Sequence, residues 1–427
     1  MKNVWRMLAL LALAGMTAGC GGDKEVEERE GNGMAVLEGS WEGAIEVPNQ
    51  PLTIQVEFGK ETSYFGIPSQ GVNELQISRI EFIDPDISFD VEIQGQIISF
   101  DGKRKGEEIT GTFTQTGQEL PFKLKKGISE KPVNEENIVE ADAAGGKMKA
   151  VLELPEGEGP FPAVVIIAGS GPTDHNGNSP AGGTNNSLKM LAEGLAAEGI
   201  ASIRYDKRGI GMNTALGRNE ADMRFGDFIA DAAVWGEYLE TDGRFAETAV
   251  IGHSEGALIG LVAAKKGGAD RFISIAGAGR PIDEVLLEQL TPQLPADLLE
   301  ESETVIAALK EGEEVKEVSP ALQSIFRPSV QPYLASWMAL DPQQEIRDLD
   351  VPALIVAGTH DIQVPVADAE ALHAAKPEAE LLIIDGMNHV LKPAPADVQG
   401  NMAVYSDPDL PLAEGLAKGI AQFIKAE

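Results

Sequence analysis

The sequence predicts a chain in two folded parts: a small antiparallel β unit, then a larger doubly wound α/β unit with a mostly parallel sheet and a helical cap. Three observations carry that expectation. Residues 35–126 alternate apolar and polar with period two, as in Leu52-Thr53-Ile54-Gln55-Val56-Glu57-Phe58. From residue 127 to 427, short continuous apolar runs take turns with helical patterns, the mark of parallel strands buried on both faces. About seventy residues separate the run ending near Ala276 from the one starting at Ala353, far more than one crossover needs.

Composition narrows the function classes. The 427 residues carry a net charge of −34, which repels phosphate backbones and argues against nucleic acid as a partner. The amino terminus reads as a targeting segment. Lys2 and Arg6 accompany the apolar run Met7–Ala14, which is too short to span a bilayer. The run ends in Thr17-Ala18-Gly19-Cys20, which resembles the lipobox of bacterial lipoproteins. Residues 1–20 are therefore expected to be a lipoprotein signal peptide and Cys20 the lipidated residue, giving an extracytoplasmic protein anchored to the bacterial membrane. An ordinary cleaved signal, giving a secreted protein, is the alternative. Cys20 is the single cysteine, so neither a disulfide within the chain nor a thiolate metal site is available. Residues 21–34 are polar and acidic, as expected of a linker.

In the β unit, Leu52–Phe58, Ile97–Phe100 and Ile109–Phe113 read as strands, with breaks at Gly59, Pro68, Gly95, Gly106 and Gly117 at hairpin spacing. A sandwich and an open barrel fit equally well. Trp41 and Tyr64 are expected to pack in its core.

In the α/β unit, Ile138–Glu140 and Met148–Leu154 read as edge strands. Ala163–Ala168, Ile200–Tyr205, Phe272–Ile275, Ala353–Ala357 and Leu381–Ile384 read as the buried series. Helical spacing covers Leu188–Glu198, Phe225–Leu239, Val366–Ala375 and Leu412–Lys425. It also covers parts of the long insertion, which predicts a cap over about residues 280–346.

Chemistry concentrates at Val250-Ile251-Gly252-His253-Ser254-Glu255-Gly256, an apolar strand end running through G-x-S-x-G into the helical pattern Ala257–Ala264. That is the pattern of a nucleophile elbow, which lifts Ser254 clear of the backbone at the start of a helix. A serine hydroxyl needs a base. Of the five histidines, His253 adjoins the serine and cannot fold back onto it, and His373 sits in a helical pattern where a solvated face is expected. His175 lies in the loop after the first central strand, and His360 precedes the proposed acid. His389, directly after the last strand, is the expected base. Asp361 ends the strand-loop Val356–Asp361 and is the expected acid, with Asp385 as a competitor too close in sequence to His389. The oxyanion is expected to rest on the backbone amides of Glu255 and Ser170, the latter in the glycine-rich loop Gly169–Gly177.

Taken with Gly169-Ser170-Gly171-Pro172-Thr173-Asp174, Arg204–Gly209, Gly358-Thr359-His360-Asp361 and Asn388-His389, these residues make the chain resemble the α/β-hydrolase superfamily. Within it, the likeness is to secreted bacterial esterase-like members near the dienelactone-hydrolase and serine-aminopeptidase branches. The resemblance spans about residues 133–427. It implies a cofactor-free serine hydrolase acting on small-molecule carboxylic esters through an acyl-enzyme. A serine aminopeptidase or amidase is the alternative, and a binding lipoprotein with an inactive hydrolase unit is another. In peptidase relatives cap carboxylates often hold the substrate amine, and Glu288, Glu300, Glu301 and Glu303 are available for that here. Arg204, Asp206 and Arg208 are expected to form a buried ion-pair cluster beside the elbow. No metal site is expected: Asp174–Asn178 lacks the glycine placement of a calcium loop, and Asn185 stands where its glutamate would be. No phosphate-binding glycine motif occurs.

Overall fold

The computed structural model of the chain describes residues 34–46, 52–60, 62–67, 72–93, 96–115, 118–126, 137–179 and 183–426. The expected signal segment, Cys20 and the expected linker up to residue 33 lie outside the described residues. The chain divides into two compact units, Met1–Asn134 and Glu135–Glu427.

The first unit is a closed barrel of eight strands: β1 (Gly39–Ile45), β2 (Leu52–Phe58), β3 (Tyr64–Ile67), β4 (Val72–Ile83), β5 (Asp86–Ile93), β6 (Gln96–Lys105), β7 (Glu108–Gln115) and β8 (Gln118–Lys126). Each strand pairs antiparallel with the next. β1 then pairs back onto β8, from Trp41 opposite Lys126 to Ile45 opposite Phe122, which removes both sheet edges. The unit is thus neither a sandwich nor an open barrel. Alternation sends Trp41, Phe58, Phe65, Phe89, Phe100, Phe113 and Phe122 inward, and the Phe89 and Phe100 rings stack at 4.5 Å. Aromatic side chains fill the interior. Trp41 is buried and donates its indole N–H to the Leu37 carbonyl at 2.7 Å. Tyr64 is not in the core: with Phe65 and Ile67 inside, period two places Tyr64 on the outer face, where it is 36% exposed.

The second unit is built on an eight-stranded sheet. Its strands are β9 (Ile138–Ala143), β10 (Gly146–Glu153), β11 (Phe161–Ile167), β12 (Ala201–Arg204), β13 (Phe245–His253), β14 (Arg271–Ile275), β15 (Ala353–Gly358) and β16 (Glu380–Ile384). Their spatial order is β16-β15-β14-β13-β11-β12-β10-β9. β11 to β16 run parallel, while β10 joins antiparallel to β12 and β9 antiparallel to β10. Only β9 is an edge on that side. The expectation that Met148–Leu154 is an edge strand fails because β10 pairs with β9 on one flank and, over Val151–Glu153, with β12 on the other.

The central strands bury both faces, so consecutive residues serve opposite cores. Val165, Ile167, Val250 and Ile355 pack with Ile229, Trp235, Ile259 and Leu372, from helices Phe225–Thr241, Glu255–Lys265 and Val366–Ala375. Val164, Ile166, Ile251 and Val356 pack with Leu188, Leu195, Ile420 and Phe423, from helices Ser187–Ala197 and Leu416–Ile424. This double winding puts the strand order reversal at β11, where the chain goes to β12 on one side and β13 on the other. The crevice at the carboxyl ends of those strands is the expected place for a site.

The insertion after β14 folds into helices Ile282–Leu290, Ala296–Lys310, Gln323–Phe326, Gln331–Met338 and Pro342–Arg347. The first four share a core of their own around Val305, Ile306, Leu309, Leu322 and Phe326, while Ile346 of the last packs into the core of the sheet. Through Tyr333 and Trp337 the cap seats on Phe225 and Phe228, the Phe225 and Trp337 rings stacking at 5.2 Å.

Candidate active site

β13 ends at His253, the next residue turns, and the helix Glu255–Lys265 begins at once. Ser254 sits at φ 55°, ψ −121°, a backbone region costing about 1–3 kcal/mol for a residue with a side chain. The flanking glycines show why this turn dictates sequence. A Cβ on Gly252 would lie 2.1 Å from the Gly256 carbonyl oxygen, and one on Gly256 would lie 2.5 Å from that of Ile167 in β11. The turn folds on itself against the next strand, and only hydrogen fits in either place.

His389 enters from the loop after β16, and Asp361 from the loop after β15. The structure brings both to Ser254. His389 Nδ1 is 2.8 Å from Asp361 Oδ2, and His389 Nε2 is 3.1 Å from the Ser254 hydroxyl. The Asp361 side chain is 1% exposed. Its other oxygen accepts the backbone N–H groups of Gln363 at 2.8 Å and Val364 at 2.9 Å. Burial pushes the Asp361 carboxyl up, but the His389 imidazole and those two amides pull it further down, so it is held below the usual carboxylate range. A carboxylate only accepts, so His389 Nδ1 carries the proton. Nε2 is left bare to take the one that Ser254 donates.

The loop expected to complete the oxyanion hole lies against the nucleophile. A Cβ on Gly169 would stand 3.2 Å from Ser254 Cβ, and exposed Ser170 follows directly. Glu255 is the first residue of its helix, so its amide is among those a helix leaves without an intrahelical acceptor.

The remaining candidates go elsewhere. Asp385 accepts from the Thr359 hydroxyl at 2.9 Å and does not reach His389. His360 Nδ1 is 2.6 Å from the Ala394 carbonyl. His175 Nδ1 is 2.6 Å from Asp206 Oδ1, which also takes the His175 amide at 2.7 Å. His373 is half-buried with Nδ1 enclosed, so the solvated face expected for it is a correction. Arg204, Asp206 and Arg208 are buried as expected, but they do not pair with one another. Each finds its partner on another element: Arg208 on Asp231 at 2.5 Å, Arg204 on Asn176 and Glu153, Asp206 on His175. Of the cap carboxylates, Glu288 is paired with Arg280 at 2.5 Å and Glu301 accepts from the Ser319 amide and hydroxyl, while Glu300 and Glu303 face solvent.

Sequence reasoning gave His253 no part beyond its failure to reach Ser254. Its Nε2 is 2.7 Å from the backbone carbonyl of His389. Burial, then the nearby His389 ring, lower its pKa to about 4, so it is neutral at pH 7. Only a carbonyl on the far strand-end loop reveals this, and no sequence motif encodes it. Among the described residues, no group of three or more His, Cys, Asp or Glu is placed to hold a metal ion.

The chain is similar to several known proteins. Residues 182–392 match the family described as serine aminopeptidase, S33. Over 331 residues the chain is 27% identical to the esterase EstD of Thermotoga maritima, covering 75% of this chain and 74% of that protein. Among solved structures, Est1E of Butyrivibrio proteoclasticus with ferulic acid bound is 17% identical over 67% of this chain and 96% of its own, at a TM-score of 0.45. A proline iminopeptidase of Mycobacterium smegmatis is likewise 17% identical, over 67% of this chain and 97% of its own, at 0.43.

Proposed function

We propose that this chain, whose second unit is an α/β hydrolase, is a serine esterase that works through an acyl-enzyme. The observation that carries the reading is the continuous relay from Asp361 through His389 to Ser254, at 2.8 and 3.1 Å, on a strained elbow. In that reading His389 takes the Ser254 proton as the hydroxyl oxygen attacks the ester carbonyl. Asp361 holds the imidazole in its Nδ1–H form and stabilises its charge. The amides of Ser170 and Glu255 hold the oxyanion. His389 then gives its proton to the leaving alcohol, and water repeats the sequence on the acyl-enzyme.

Two observations favour esters over peptides. The relative matched over three quarters of the chain is an esterase. Of the four cap carboxylates available to a substrate amine, Glu288 and Glu301 already have partners in the protein, and Glu300 and Glu303 face solvent. The match to the serine aminopeptidase family keeps amide cleavage as the second reading. Ligand capture inside the β barrel is disfavoured, because aromatic side chains occupy its interior.

Anchoring through a lipid on Cys20, with residues 21–34 as tether and the enzyme outside the cytoplasm, is part of the proposal. It rests on the signal-like amino terminus and the single cysteine. Replacing Cys20 by Ala should move the protein from the membrane to the soluble fraction; a protein that stays membrane-bound refutes the anchor.

The activity test compares hydrolysis of p-nitrophenyl acetate with that of an aminoacyl p-nitroanilide, each corrected by the Ser254→Ala protein. Faster ester cleavage that loses about a thousandfold or more in Ser254→Ala supports the esterase. A preference for the anilide moves the function to peptidase, and no Ser254-dependent rate on either sinks the hydrolase reading.

A further inference from the structure

Lys207 and Tyr333 stand outside the relay, yet both reach the residue beside the nucleophile. Lys207, in the loop after β12, places Nζ 2.9 Å from Glu255 Oε1, the two side chains being 6% and 2% exposed. The same ammonium lies 5.1 Å from the centre of the Phe228 ring. Tyr333, on the cap helix Gln331–Met338, lies beside Glu255. Burial and that carboxylate together hold the hydroxyl far above the usual phenol range. The adjacent pair of Arg208 and Asp231 is closed on itself at 2.5 Å.

A buried carboxylate is badly placed here unless it is neutralised. The tetrahedral intermediate gathers negative charge on the oxygen that the Glu255 amide would hold, and the Glu255 side chain brings a like charge to the same residue, out of water. We propose that Lys207 is a positioning residue of the hydrolytic reaction: it cancels the Glu255 charge beside the oxyanion. The same pair ties the β12 loop to the elbow helix. The inference rests on the serine-esterase reading. It separates Lys207 from an ordinary buried ion pair, whose two halves would matter equally.

The test is a double-mutant cycle on the full chain, with Lys207→Met, Glu255→Gln and the double variant. It reads Ser254-dependent kcat and KM for p-nitrophenyl acetate at temperatures where circular dichroism shows each protein folded. Lys207→Met leaves the carboxylate bare and should lower kcat by roughly 30-fold with KM within about threefold. Glu255→Gln leaves a cation behind and should lose clearly less. Removing Lys207 from the Glu255→Gln protein should change kcat by less than about threefold, since no charge remains to cancel. That last comparison does not need Lys207→Met to fold. Equal losses from both single variants, or a loss of about tenfold or more on removing Lys207 from Glu255→Gln, would overturn the proposal. If the unaltered chain shows no Ser254-dependent turnover, the esterase reading falls and this inference with it. If turnover is present and the cycle is additive, this inference alone falls.

Discussion

His253 donates from Nε2 to the backbone carbonyl of His389 at 2.7 Å, so the residue before the nucleophile holds the main chain of the base. The two rings lie 5.0 Å apart, and a charge on one disfavours a charge on the other. The bond therefore registers the elbow against the loop after β16.

Protonation of His253 sets an acid sensitivity whose sign is fixed. Its pKa falls from 6.5 to about 4 on folding, because burial and then His389 disfavour the cation. Below 6.5 the unfolded chain binds the proton that the folded chain refuses, so stability falls as pH drops through that window. Between pH 7 and 5 this one group should remove about 2 kcal/mol. His253→Gln keeps a donor but does not titrate. Urea unfolding at the two pH values should show a smaller acid loss by about that amount, and identical losses would refute the assignment.

Asp361 and Asp385 compete for the role of acid in the sequence, and the structure separates them. Asp361→Asn keeps the shape but replaces an acceptor with an amide that can hold His389 in the wrong tautomer. Its kcat for p-nitrophenyl acetate should fall by about a thousandfold or more. Asp385→Asn touches only the Thr359 hydroxyl and should stay within about threefold. Because the Asp361 carboxyl is held below its usual range, it stays charged through mildly acid pH. An acid limb of kcat that survives in Asp361→Asn would fit this; a limb abolished there would contradict it.

The relay was legible in the sequence because each of its members follows the carboxyl end of a strand. Apolar runs locate the strands, and parallel strands bring their carboxyl ends to one place, so Ser254, Asp361 and His389 meet whatever the packing between them. Closure of the barrel was not legible. It depends on Trp41 opposite Lys126, a pairing across the whole unit that no local pattern records. Burial of Arg208 was an expectation drawn with the family resemblance, but its partner was not legible, since Asp231 lies on the helix Phe225–Thr241. Nor was the seating of Tyr333 on Phe225 and Phe228, which depends on how the cap folds back over the sheet unit.

Arg208 and Asp231 are 0% and 2% exposed at the side chain, so neither can turn to water when the other is removed. Arg208→Met should cost about 3–5 kcal/mol of unfolding free energy at pH 7. Burial already pushes the Asp231 carboxyl above the usual range against the pull of Arg208. Without the guanidinium it rises further, so the folded variant binds a proton that the unfolded chain releases, and stability rises as pH falls. The deficit measured by urea unfolding should therefore shrink between pH 7 and 5. A deficit that grows on acidification would show that the pair is not what holds this loop.

Gly256 meets the carbonyl oxygens of Ile167 and Ala168, where an added Cβ would come within 2.5 and 2.6 Å. Backbone of a central strand cannot yield, so Gly256→Ala should lift the first turn of the elbow helix away from β11. The Glu255 amide and the Ser254 hydroxyl would move with it. A displacement of about 1 Å at a reacting group lowers rates by about 100-fold, and overpacking of this kind costs about 1–3 kcal/mol. Gly169→Ala offers the contrast: its Cβ would meet Ser254 Cβ at 3.2 Å and His253 Nδ1 at 3.3 Å, distances that a few tenths of an ångström relieve. Gly256→Ala should therefore show the larger loss in both kcat and melting temperature. Equal losses would mean that the elbow helix and β11 are less tightly joined than these distances require.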